Sequence, residues 1–201
     1  NFKVETDADG IALVTWDIPG RSMNVLDETS TSELEEILKQ TTADAAVKGV
    51  VITSSKDAFC AGADLSMLEG MNKEYAKVLK EKGEVAANQM LFEQSRRFSL
   101  VLRGIETCGK PWAAAINGLA LGGGFEVTLS CHHRVAAENP KTRLGLPEVK
   151  VGLFPGAGGT QRVPRLVPPQ DAMTILLKGD PVTVEKAKQL NLIHGGVPAA
   201  D

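Results

Sequence analysis

Two strand-like runs open the chain: Phe2–Thr6 and Ile11–Trp16 flank Asp7-Ala-Asp-Gly10, a turn signal, and predict an N-terminal hairpin. After the Pro19-Gly20 break, Ser32-Glu-Leu-Glu35 has the form of a capping box, and Leu34, Ile37 and Leu38 supply a helical apolar face. Lys48–Thr53 is β-branched without polar alternation, as in a parallel strand covered on both faces. A loop over 54–64 ends at Asp64, placed to cap a new helix. From about Asn72 to Thr107 a polar stretch carries Leu91, Ser95, Phe98 and Leu102 at helical spacing and stops at Lys110-Pro111, which predicts one long helix. Trp112–Ile116 is a second buried strand, and Gly118-Leu-Ala-Leu-Gly-Gly-Gly124 turns the chain into a helix from about Gly123 to Ser130. His133–Ala137 is a further strand. Such β-α-β-α-β alternation predicts an α/β fold with right-handed parallel crossovers. The tail is helical in three pieces, opening at Gly156, at Pro168-Pro169 and at Val184. With no internal repeat or linker, residues 1–201 read as a single domain.

Composition narrows the classes of function. The 201 residues are 43% hydrophobic and 23% charged, the usage of an ordinary globular domain, which excludes a disordered tail. Lys and Arg number 22 against 25 Asp and Glu, a net charge of −3, so no global basic field attracts nucleic acid. No apolar run approaches a membrane span, and the first residues lack the pattern of a signal peptide; a cytoplasmic protein is expected. Cys60, Cys108 and Cys131 are odd in number and without CxxC spacing, which suits a reducing compartment and argues against structural zinc. Nine of the 20 glycines fall between Gly118 and Gly159, so backbone geometry is tightly specified there.

Candidate chemistry gathers at two strand-to-helix junctions, Phe59-Cys-Ala-Gly-Ala-Asp64 and Asn117-Gly-Leu-Ala-Leu-Gly-Gly-Gly-Phe-Glu126. In an α/β sheet ligands sit beyond the carboxyl ends of strands, where helix N-termini offer free N–H groups to an anion. The alternative is that Gly122–Gly124 merely allow close helix packing. Phosphate loops are disfavoured: Gly156-Ala-Gly-Gly-Thr160 lacks the lysine of a P-loop, and GxGxxG fails at Gln161. Glu126, in a first helical turn, is either a dipole partner or an acid–base group, and Glu148 is either a solvated loop residue or its counterpart; if the fold joins them, like charge and burial separate their pKa values. His132 and His133 read as structural or surface residues, His194 has no visible partner, Cys60 reads as packing, and Arg162 and Arg165 as solvated charges or an oligomer contact.

Three stretches carry a resemblance: Ala58-Phe-Cys-Ala-Gly-Ala-Asp-Leu65, Asn117 to Glu126, and Leu146-Pro-Glu-Val-Lys-Val-Gly-Leu-Phe-Pro-Gly-Ala-Gly-Gly-Thr-Gln-Arg162. In order and style they resemble the enoyl-CoA hydratase/isomerase (crotonase) family over essentially the whole chain, and Arg143-Leu-Gly-Leu-Pro-Glu148 is most similar to the hydratase module of multifunctional fatty-acid oxidation alpha subunits. The resemblance implies a crotonase-like right-handed β-β-α spiral followed by C-terminal helices, the last of them missing, so that the domain is truncated near Asp201 and Gly195–Asp201 leads into a further helix. It implies enoyl-CoA hydratase activity, with water added across the C2–C3 double bond of trans-2-enoyl-CoA. The backbone amides of Ala63 and Gly123 would form an oxyanion hole, and Glu126 and Glu148 would exchange protons with one water. Arg21, Ser22 and Met23 would contact coenzyme A, Ala61, Asp64 and Leu65 would lie near its adenine, and Gly156 would line the acyl pocket. No metal or cofactor is implied, since the coenzyme A thioester is the substrate. Implied partners are copies of the chain, a fatty-acid oxidation complex and a downstream 3-hydroxyacyl-CoA dehydrogenase domain. Rival readings are a double-bond isomerase, which in this family keeps only the second carboxylate position, another acyl-CoA enzyme, or a non-catalytic acyl-CoA-binding scaffold, which needs neither glutamate.

Overall fold

The computed structural model describes residues 1–199. In chain order its elements are β1 (Phe2–Thr6), β2 (Ile11–Trp16), α1 (Glu28–Ala43), β3 (Gly49–Ser54), α2 (Leu65–Lys82), α3 (Glu84–Thr107), β4 (Trp112–Ile116), β5 (Ala120–Leu121) and α4 (Gly123–Ser130). They continue with β6 (His133–Glu138), β7 (Leu144–Gly145), a 3-10 turn (Glu148–Val151), α5 (Gly159–Leu166), α6 (Pro169–Lys178), α7 (Val184–Gln189) and β8 (Gly195–Pro198).

The six long strands form one sheet in the order β1-β2-β3-β4-β6-β8. The hairpin β1–β2 is antiparallel and every other neighbour is parallel. One face of this sheet, bearing Ala12, Val14, Trp16, Val50, Ile52, Trp112, Ala114, Ile116 and Ala136, is buried in the core with Leu34, Leu102, Ile105 and Phe125 of the helices. A second, small layer crosses the ends of these strands: β5 pairs parallel with β7, and bridges join Cys60 to Ala120 and Leu26 to Ala63. Strands β3 and β4 are each followed by a short extended segment and then a helix: β3, 60–63, α2 and again β4, β5, α4. This is the crotonase-like β-β-α repeat that the motifs imply. Among the described residues no helix is long and apolar enough to cross a membrane.

Two local expectations change. The capping box at Ser32 does not start the first helix: Asp27 caps it five residues earlier, accepting the Ser30 amide at 2.7 Å, while the Ser32 hydroxyl bonds back to the Glu28 carbonyl. The long helix over 72–107 is two, because Gly83 (φ +84) ends α2 in a conformation open to glycine, and α3 folds back so that Tyr75 meets Asn88 and Gln94 meets Glu74. Gly195–Pro198 forms a parallel strand beside β6, satisfying backbone groups that β6 would otherwise expose. The capping role expected of Asp201 falls outside the described residues.

Candidate active site

The site is built where the two predicted junctions touch. The Cys60 amide donates to the Leu119 carbonyl at 3.0 Å and the Leu121 amide to the Cys60 carbonyl at 3.0 Å, which clamps the loop after β3 to the strand before α4. Gly62 and Gly122 sit at the crossing with φ of +103° and +52°; a Cβ on Gly62 would stand 3.2 Å from the Leu121 carbonyl oxygen, and one on Gly122 3.7 Å from the Gly62 Cα. Only glycine allows that conformation and that approach. The next residue on each strand is Ala63 or Gly123, and among the described residues no oxygen accepts either amide. Gly123 opens α4, so its N–H is one of the free donors at the positive end of that helix. Gly124, by contrast, serves packing, since a Cβ there would collide with Cys60.

Helix α4 is apolar all round and buried over Gly124–Ser130, and it carries one carboxylate inward. Glu126 is 2% exposed, and its Oε1 accepts the amides of Ala157 at 2.9 Å and Gly159 at 2.7 Å. Burial raises its pKa above the ordinary carboxylate value, while those two amides and the Arg162 charge work the other way. Its second oxygen, Oε2, lies 3.9 Å from where a Gly123 Cβ would be. Glu148 opens the 3-10 turn after β7 and reaches the same place from the other side, with Oε1 3.2 Å from the Cβ position of Gly122 and Oε2 buried without a hydrogen-bond partner. Burial pushes its carboxyl up to about 7, its own amide opposes this, and the charge of Glu126 adds to the rise. The fold therefore unites Glu126, Glu148, Ala63 and Gly123, and the two carboxyl groups feel one another.

The remaining expected site residues lie along the rim. Arg21, Ser22 and Met23 are exposed on the loop after β2, and the Arg21 guanidinium pairs with Asp64 at 2.6 Å. Asp64 caps α2 through the Ser66 amide and hydroxyl; those bonds and the Arg21 contact hold its carboxyl down at about 2. Ala61 is half-buried, its amide bonded to the Asn24 carbonyl, and Leu65 is exposed beside it. Gly156 is exposed at the start of the turn that feeds Glu126, and its carbonyl accepts the Ser99 hydroxyl at 3.2 Å.

Other residues settle differently. Cys60 and Cys131 are buried with thiols pushed up to about 12, which fits packing and leaves no thiolate at neutral pH. His194 does have partners: its ring stacks on His133 at 4.2 Å and accepts the Arg134 amide. Arg162 is not a solvated charge but a half-hidden anchor paired with Glu106 at 2.7 Å. Asn24 was not singled out, and it is fully buried: Oδ1 accepts the Ile18 amide, and Nδ2 donates to the Trp16 carbonyl, the Ser54 hydroxyl and the Phe59 carbonyl. It ties the rim loop to the loop of Ala63. Its one visible signal is a polar side chain inside the apolar run Met23-Asn-Val-Leu26.

The family model for enoyl-CoA hydratase/isomerase matches residues 6–201. The chain belongs to the enoyl-CoA hydratase/isomerase family. Within it, the fatty acid oxidation complex subunit alpha of Shewanella frigidimarina (strain NCIMB 400) is 42% identical over 98% of this chain and 26% of its own length. The chain thus spans about a quarter of the curated relatives it matches. Among solved members, an enoyl-CoA hydratase from Bacillus anthracis is 32% identical with a TM-score of 0.84, covering 99% of this chain and 70% of the other. Pseudomonas aeruginosa DspI is 31% identical with a TM-score of 0.82, over 99% of this chain and 74% of its own.

Proposed function

We propose that this chain is the enoyl-CoA hydratase part of a fatty-acid oxidation alpha subunit, adding water across the C2–C3 bond of trans-2-enoyl-CoA to give 3-hydroxyacyl-CoA. The observation that carries the reading is the facing pair Glu126 and Glu148 beside two free amides. In the reaction the thioester oxygen accepts the Ala63 and Gly123 N–H groups, which stabilise the enolate charge as it develops; each donor is worth roughly 3–4 kcal/mol in a dry, preorganised site. Glu126, whose Oε1 accepts two amides and whose Oε2 stays free, takes a proton from water in its ionised form as the water oxygen bonds to C3. Glu148, whose pKa of about 7 leaves about half of it protonated at neutral pH, gives its proton to C2. The resulting acid and carboxylate return to their starting states by proton exchange with solvent.

Two coupled carboxyl groups support hydration over double-bond isomerisation, which moves one proton between carbons and needs no water-activating base. A scaffold that only binds acyl-CoA would have no use for a buried, unpaired Glu148 oxygen. Exposed Arg21, Ser22 and Met23 suit the hydrophilic coenzyme A handle at the rim. Membership in a fatty-acid oxidation complex, a following 3-hydroxyacyl-CoA dehydrogenase domain, self-association and a cytoplasmic setting follow from the same reading, as does turnover without added metal or nucleotide. The test is direct: the intact protein, freed of metal with a chelator, is given trans-2-butenoyl-CoA, and loss of the conjugated enone absorbance is followed with product analysis. Formation of the 3-hydroxy product supports the proposal. Chelator-sensitive turnover, a shifted double bond as sole product, or no reaction at any chain length refutes it.

A further inference from the structure

Behind Glu126 lies a second set of contacts. The turn that supplies its two amides, Ala157–Gly159, is held from outside by Arg162 in α5: one guanidinium nitrogen donates to the Ala157 carbonyl at 2.8 Å, and Nε donates to Glu106 Oε1 at 2.7 Å. Glu106 belongs to α3 and also accepts from Arg103 at 3.1 Å. Burial alone would raise the Glu106 carboxyl, but the bonds from Arg162 and Arg103 hold it below its ordinary value, so it stands as an anion against the guanidinium. Gly158 leaves the space for this arrangement, because a Cβ there would collide with the Arg162 guanidinium. A continuous path thus runs from α3 through Glu106, Arg162 and the Ala157 peptide to Glu126 Oε1.

We propose that Arg162, clamped by Glu106, is a positioning residue: it fixes the Ala157–Gly159 turn so that two amides converge on one oxygen of Glu126 and leave the other, Oε2, to exchange the proton. The guanidinium suits this task because its planar fork bonds a carboxylate and a carbonyl at once, which a lysine ammonium does as a point charge without fixing direction. The groups that face Glu126 are Glu148 from the 3-10 turn and Arg162 from α5, so loss of Arg162 leaves Glu126 facing only a like charge. The kinetic part of this inference rests on the hydration reading, and the structural part does not.

The experiment compares Arg162→Gln, Glu106→Gln and Arg162→Lys with the wild type in the intact protein. Hydrogen exchange at the Ala157 and Gly159 amides and the carbon-13 titration of the Glu126 carboxyl, assigned with Glu126→Gln, are measured without substrate. In Arg162→Gln, exchange at the two amides rises at least about tenfold and the Glu126 titration moves to higher pH. Hydration kcat falls about 10- to 100-fold with KM within about threefold, and the acid limb of its pH profile moves up with Glu126. Arg162→Lys recovers part of kcat, and Glu106→Gln gives a smaller change of the same kind. Unchanged exchange and titration in a folded Arg162→Gln overturns the proposal, and so does faster exchange with Glu126 titration and kcat both unchanged. Should Arg162→Gln not fold, Arg162→Lys and Glu106→Gln carry the same readouts. A wild type that hydrates no enoyl-CoA sinks the hydration reading instead, and the exchange and titration measurements still decide the role of Arg162.

Discussion

Replacing Glu148 by Gln removes a group whose titration lies near neutrality. In the wild type its carboxyl, raised by burial to about 7, must be protonated to deliver the proton to C2. One pH unit above that value about one-eleventh of the sites carry the proton, and two units above about one-hundredth, so kcat/KM for hydration falls about tenfold per unit on the alkaline side. Glu148→Gln, unable to donate, lowers kcat by about 10²–10⁴ and flattens this limb. Because the two carboxyl groups interact, the limb belongs to the pair; removing the Glu126 charge in Glu126→Gln shifts the residual limb to lower pH, by less than the part that burial imposes. Initial rates of trans-2-butenoyl-CoA hydration from pH 5 to 9, for the wild type and both variants, provide the measurement. A wild-type profile flat to pH 9, or an unchanged alkaline limb in Glu148→Gln, refutes the assignment of Glu148 as the acid.

Other outcomes follow from the same geometry. Glu126→Gln loses at least ~10² in kcat with little change in KM, and the double variant is no worse than about the slower single one, as steady-state kinetics on all three will show. Gly123→Pro, and likewise Ala63→Pro, deletes an oxyanion N–H and abolishes turnover; full activity in a folded variant would place the donor elsewhere. Asn24→Ala strands several buried groups and costs about 2–4 kcal/mol in urea unfolding, and a loss under about 1 kcal/mol would show that the loops hold without it. The Glu148 carboxyl is raised in the folded chain above its ordinary 4.5, so its contribution to stability is complete below about pH 4.5 and is lost as pH rises towards about 7. Since Glu148 keeps some solvent contact, the ceiling of about 3 kcal/mol shrinks to about 1–2 kcal/mol, and melts of Glu148→Gln against the wild type between pH 4.5 and 8 should converge at the acid end.

The sequence exposed the strands most clearly, since Val50–Ile52 and Trp112–Ile116 are buried on a sheet whose apolar runs leave little ambiguity. It exposed Asp64 as a cap and the junctions at Gly62 and Gly122 because glycine and aspartate act locally. What it hid was long-range. Strands β5 and β7 have two residues each, too few for any period, and exist only because they pair across the fold. Gly83 splits a continuous helical pattern through a backbone angle that no side-chain spacing records. The meeting of Glu126 with Glu148 follows from the parallel pairing of β5 and β7, which brings the residues after each strand side by side. Arg162 looked like a surface charge because its partner, Glu106, lies on a helix far back in the chain.

The parallel sheet also governs when the site comes into being. Parallel neighbours are joined by crossovers, not by tight turns, so β3, β4 and β6 must each wait for an intervening helix before they find their register. Ala63 follows the first of these strands, Gly123 the second, and Glu148 and the Ala157–Gly159 turn the third. Helices α2 and α3 pack on one another as neighbours in sequence, so their signal is expected first in refolding. The polarising amides and the paired carboxyl groups draw on all three strands at once and appear last. Helical signal therefore precedes activity as the chain folds, and the reverse order holds under mild denaturation: catalysis fails while the helices still stand.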